Sequence, residues 1–219
     1  MQGDFYLPYI INYAQPAAED IVVFCVAVLT AIIVSAEGQA FAATFLGDSR
    51  VGAKDRFHFN VFMHMSLLGT LNFFIAGFGW AKEIDIDSEK FKKLPRLFLV
   101  LSRLAGPLAN FMMANIAASL SWILKTYNFD DQVFSTIALV NVSMAVYGLI
   151  MIPPLPGAAL LWAILPNSPV STRIKKTLHS VGPYLLVGTF LLIRLSGWDG
   201  VSSFFNPIIA SITSFILDF

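Results

Sequence analysis

Long apolar runs with almost no charge constrain this chain more than any other feature. Residues 57–80 and 133–165 contain no Asp, Glu, Lys or Arg. Residues 21–46 hold one such charge, Glu37, residues 97–124 hold Arg103, and residues 178–195 hold Arg194. About 20 apolar residues cross a bilayer, and within it backbone groups must bond to one another. The runs therefore predict an all-α, polytopic integral membrane bundle of five to six transmembrane helices. Residues 201–219 are short and contain Pro207, so they read either as the sixth span or as an interfacial helix. Composition agrees: 57% of residues are apolar and 13% charged, against about 25% charged in a soluble domain.

Formal net charge is zero, which argues against nucleic-acid binding. The single Cys25 has no partner for an internal disulfide and reads as a packing residue. Residues 1–20 hold Asp4, Glu19 and Asp20 but no Lys or Arg. A cleavable signal peptide needs a positive start, so the first run is expected to stay as a transmembrane helix. No repeat or low-complexity linker divides the chain. One membrane domain over 1–219 is expected, with a tail at 1–20, a core at 21–165 and C-terminal helices at 178–219.

Met151-Ile152-Pro153-Pro154-Leu155-Pro156-Gly157 interrupts the fourth run. Three prolines cannot sit in a regular helix interior without losing hydrogen bonds. A helix, a buried extended turn and a second helical piece are expected there. If each run crosses, Lys82, Lys90, Lys92, Lys93 and Arg96 share a side with Arg173, Lys175 and Lys176. The positive-inside rule makes that side cytoplasmic. Arg50, Lys54, Arg56 and Lys125 would then lie opposite.

Several short stretches, in order, resemble one family. Ser35-Ala36-Glu37-Gly38-Gln39-Ala40 matches the frame of His-Glu-x-Gly-His-Ala, and Leu46-Gly47-Asp48 follows it. Arg56, Asn60, His64 and Gly69-Thr70 are similar to Arg…Asn-Pro…His-x-Asp…Gly-Thr. Phe78-Gly79-Trp80-Ala81-Lys82, Pro95-Arg96 and Leu104-Ala105-Gly106-Pro107-Leu108-Ala109-Asn110 come next. Asn141 and Ile152-Pro153-Pro154-Leu155-Pro156-Gly157 are similar to Asn…Pro-Ile-Pro-Pro-Leu-Asp-Gly. The order and spacing resemble the compact bacterial-type site-2 proteases, which are intramembrane zinc metalloproteases.

The resemblance implies two zinc-binding histidines one turn apart, a Glu as general base, and an Asp from the Pro-rich turn. Those positions hold Ser35, Gln39, Ala36 and Pro156. No ligand and no base remain, so the resemblance implies a degenerate member without catalytic residues and without zinc. Slipping the register by one residue puts Glu37 at the base position, but the ligand positions then become Ala36 and Ala40. Gly148 stands where Asn is common, and Ser66 where Asp is common.

Glu37, Asn60, His64 and Asn141 remain as a candidate residual polar site. A carboxylate in a membrane segment is costly and is usually paired or functional. Asn60 and His64, four residues apart, read as one face of a helix, serving either the old site or an interhelical hydrogen bond. His58 and His179 read as interfacial. Arg103 reads as snorkelling or paired, with Glu37 a conceivable partner. Pro153, Pro154, Leu155 and Gly157 are a candidate helix-binding turn. Lys90, Lys92, Lys93 and Arg96 form a basic cluster facing lipid headgroups or an acidic partner.

Three functions follow as expectations. The first is a structural or assembly subunit of a larger complex, contacting other integral membrane proteins through helices. The second is a regulatory pseudoprotease that binds transmembrane segments without cutting them. The third is an enzyme, or a proton or ion pathway, using Glu37 and His64. No cofactor is expected beyond bound lipids, and the expected location is a bacterial-type inner membrane.

Overall fold

The computed structural model describes residues 17–48, 57–91, 93–129, 131–197 and 200–217. Asp4 and the rest of 1–16, together with Arg50, Lys54, Arg56 and Lys92, lie outside the described residues. The described residues form eight α-helices and no β-strand. Among the described residues, three helices are long and apolar enough to cross a bilayer: α1 (Ala18–Phe45), α4 (Pro95–Thr126) and α7 (Pro169–Ser196). Shorter ones are α2 (Val61–His64), α3 (Leu67–Ala76), α5 (Val133–Tyr147), α6 (Ala158–Ile164) and α8 (Ser202–Leu217). The protein is thus a helical membrane protein, with α1, α4 and α5 packed against one another at its centre.

The run at 57–80 is not a single crossing helix. Asn60 caps α2 by accepting from the Phe62 amide, and Ser66 caps α3 by accepting from the Gly69 amide at 3.2 Å. Such caps start helices afresh, and Gly77, at φ 75°, ends α3 in the left-handed conformation. Phe74 near the end of α3 meets Phe24 near the start of α1, with ring centroids 5.4 Å apart. His64, just before α3, meets Glu37 near the other end of α1. So α3, 10 residues or about 15 Å long, packs on α7 and touches α1 through Phe74.

Residues 77–81 then return. The Lys82 amide donates to the His64 carbonyl at 2.6 Å, and Met65 and Ala81 form an antiparallel bridge. The two limbs touch at Gly69 and Gly79. A Cβ on Gly69 would strike the Trp80 carbonyl, and one on Gly79 would strike the Gly69 carbonyl and the Phe73 ring. Two glycines thus let an extended limb lie directly on a helix. The Arg194 guanidinium, reaching from α7, donates to the Phe74 and Ile75 carbonyls at 3.1 and 3.0 Å. It serves carbonyls at the helix end that have no partner within the helix.

The hairpin corrects the alternation expected from sequence. The chain leaves α1 and reaches α4 from the same end of the bundle. That end also carries the start of α7, because Glu83 lies 3.4 Å from His179. Lys82 and Lys175 therefore share an end, as expected, but by way of a re-entrant hairpin rather than a crossing. Arg173, Lys175 and Lys176 are not loop residues. Pro169 at the first turn and the Ser168 hydroxyl, which accepts from the Ser171 amide at 3.1 Å, start α7 before them.

The fourth run breaks as expected. α5 ends at Tyr147, and the Gly157 amide donates to the Gly148 carbonyl at 2.8 Å, closing a loop that includes a cis Pro153–Pro154 peptide. α8 is 16 residues long, about 24 Å, and packs on α4 and α5.

The hairpin predicts sidedness. In a Cys25→Ser background, Phe45→Cys and Lys90→Cys variants are expected to react with a membrane-impermeant maleimide from the same face of sealed vesicles. Labelling from opposite faces would mean that 57–80 crosses.

Candidate functional site

The site rests on a polar tie at the centre of the bundle. The Asn110 amide on α4 donates to the Ala31 carbonyl of α1 at 3.0 Å and to the Asn141 side chain of α5 at 2.9 Å. The Asn141 amide in turn donates to the Ile137 carbonyl at 2.8 Å. Both asparagines are wholly buried. Asn141 therefore belongs to this three-helix tie, and not with Glu37 and His64 as the sequence suggested.

Beside the tie opens a cleft of about 190 Å³. Ser35 and Gln39, one turn apart on α1, face Gly148 and the Pro153–Pro156 turn across it. The three positions where the resemblance implies zinc ligands are thus gathered in one place. Ala36, at the implied base position, is buried in the hydrophobic core. Gly106 of α4 packs against both α1 residues: a Cβ there would lie 2.8 Å from the Ser35 hydroxyl and 2.9 Å from the Gln39 amide nitrogen.

A guanidinium occupies the polar side of the cleft. Arg103 donates to the Gln39 side-chain carbonyl at 3.2 Å and to a Glu83 oxygen at 2.7 Å. Its partner is Glu83, on the limb leaving the hairpin, and not Glu37 as the sequence suggested. Glu83 also approaches His179, which stacks on Trp162 with ring centroids 5.8 Å apart. Lys175 sits 5.5 Å from the Trp162 ring centre, close enough for cation–π attraction. His179 is thus a cleft residue rather than a simple interfacial one. Pro107 and Pro183, each four residues beyond Arg103 and His179, lie inside α4 and α7. Each removes the amide that would have bonded the carbonyl of its site residue.

These residues do not fit a zinc ion. A hydroxyl, a carboxamide and a proline replace the expected nitrogen and carboxylate donors. The Gln39 carbonyl oxygen is moreover already taken by the Arg103 guanidinium.

A second cluster lies on another face of α1. Glu37 Oε1 accepts from the Phe59 amide at 3.0 Å and lies 3.1 Å from His64 Nε2. His58 stacks on His64 with ring centroids 4.3 Å apart. Ligand atoms of Glu37, His58 and His64 all fall within 4.8 Å of one another. Glu37 and His64 do come together, as the sequence suggested. Asn60 does not join them, because its side chain is spent capping α2. His58 is the residue that sequence reasoning missed. It lies six positions before His64, and only the bend between them, with Phe59 at φ 44°, folds it back.

No family model matches the chain, and no solved structure matches it significantly. Among curated proteins, "Putative zinc metalloprotease YwhC" of Bacillus subtilis is 31% identical to it over 137 residues. That match takes in 58% of this chain and 62% of the relative's own length. The chain is therefore a homologue of a protein named for zinc proteolysis, and spans less than two thirds of it.

The tie is expected to show measurable coupling. In an Asn110→Ala and Asn141→Ala double-mutant cycle, read by reversible unfolding in detergent, a coupling of about 0.6 kcal/mol and no more than about 2 kcal/mol is expected. Additive losses would mean that the two side chains act separately.

Proposed function

We propose that this chain is a site-2 protease-like membrane protein that has given up proteolysis and serves as a structural or assembly subunit of a larger membrane complex. The observation that carries the first half is the cleft. Ser35, Gln39 and Pro156 converge there without a metal-binding donor set, and Arg103 holds a positive charge against Gln39. Activation of water by zinc needs three protein ligands and an open position, and the cleft supplies neither the ligands nor a base. In this reading α1, α4, α5 and the Pro-rich turn are the retained protease-like core. The basic end of the bundle faces the cytoplasm of a bacterial-type inner membrane.

Broad apolar faces support the second half. Phe41, Phe45, Leu67, Leu108, Met112 and Leu192 are all exposed large apolar side chains. Such surfaces suit contact with other membrane helices, where small and apolar residues pack and polar groups tie. A second reading has its own support. The cleft stays open beside Pro153–Pro156, as a pseudoprotease that captures segments without cutting them would need.

Native purification in mild detergent separates these readings. The expected result is a constant set of integral membrane partners at fixed stoichiometry, and no cleavage of single-span proteins by the purified chain. A shifting, substoichiometric collection of single-span proteins would favour the capture reading. Metal-dependent cleavage abolished by Gln39→Ala would overturn both.

A further inference from the structure

We propose that Glu37, His58 and His64 form a binding site for a transition-metal dication of the zinc type, on the face of α1 away from the cleft. Two imidazoles and one carboxylate are the donor set that such ions take, with water completing the shell. A single carboxylate with two nitrogens would serve calcium or magnesium poorly, since both demand several oxygens.

The geometry is partly assembled. Donors around one tetrahedral ion stand about 3.3 Å apart when each bond is about 2.0–2.1 Å. Glu37 Oε1 and His64 Nε2 are already 3.1 Å apart. Glu37 is 8% exposed, and its second oxygen is buried with no hydrogen-bond partner. A carboxylate in apolar surroundings with an unused oxygen is costly, and a dication would engage it. His58 is exposed, and its ring must swing off its stack on His64 to bring a nitrogen to the ion. The buried pair is thus preset, and the exposed ring completes the shell on binding. The ion would staple the start of the re-entrant hairpin to α1.

The inference does not rest on the loss of proteolysis, since none of the three residues lines the cleft. The test uses the full chain in detergent, purified through a tag without histidine and stripped with EDTA, then titrated with cobalt(II). One cobalt per chain is expected, with the visible absorption of a tetrahedral site, displaced by zinc. His58→Ala and His64→Ala are expected to weaken binding about tenfold or more, while Gln39→Ala and His179→Ala leave it unchanged. His58→Ala is expected to unfold in EDTA at the same temperature as the parent, because that ring is exposed. Absence of stoichiometric cobalt, binding by His58→Ala at parental strength, or loss through His179→Ala would each overturn the proposal.

Discussion

The close approach of α1 and α4 is the constraint on which the rest of the molecule depends. A Cβ on Gly38 would lie 2.6 Å from the Ala109 Cβ and 3.0 Å from the Ala105 carbonyl. Small residues on both helices bring the backbones together, and in lipid such packing replaces hydrophobic burial as the source of association. At that separation Asn110 can reach across to the Ala31 carbonyl, and α5 docks against both through Asn141. The placement of Ser35 and Gln39 follows from the same contact, because Gly106 leaves room for both side chains. A larger residue at Gly38 would push the helices apart, and would loosen the asparagine tie and the cleft together.

Backbone satisfaction explains the elements around that hub. The hairpin holds non-helical chain beside α1, which is tolerated at membrane depth only where protein covers it. The Asn72 amide donates to the Phe78 carbonyl at 2.9 Å, and Arg194 takes the carbonyls of Phe74 and Ile75. The returning limb then delivers Glu83 to Arg103. The carboxylate that pairs with the cleft guanidinium is thus placed by a hairpin whose own polar contacts satisfy backbone groups.

Much of this was legible in the residues. Apolar runs marked α1, α4 and α7, prolines marked the break after α5, and the family resemblance implied that Ser35, Gln39 and Pro156 would meet, as they do in one cleft. The illegible parts depended on long-range pairing. Residues 57–80 have the length and composition of a span, and hydropathy alone does not distinguish a crossing from a helix and its return. The signs were local: Asn60 and Ser66 as caps, and Gly69 and Gly79 as contact points. Arg103 called for a counter-charge, and the sequence offered Glu37; only the return of the hairpin brings Glu83 there instead. His58 gave no signal, since its approach to His64 depends on one residue with positive φ.

The two polar sites on α1 follow from helical rotation. Ser35 and Gln39 lie about 40° apart around the axis, whereas Glu37 lies about 160–200° from both. One turn of a single helix therefore faces the cleft with two residues and the hairpin with another. The α1 positions where the resemblance implies zinc ligands lie on the first face. The helix backbone and the buried Ala36 side of the core separate it from the second face. Glu37 occupies the position that the resembled motif leaves open. Its partners, the Phe59 amide and His64, come from the start of the hairpin. The fate of the cleft and the fate of the Glu37 cluster are physically independent, though both are built on the same turn of α1.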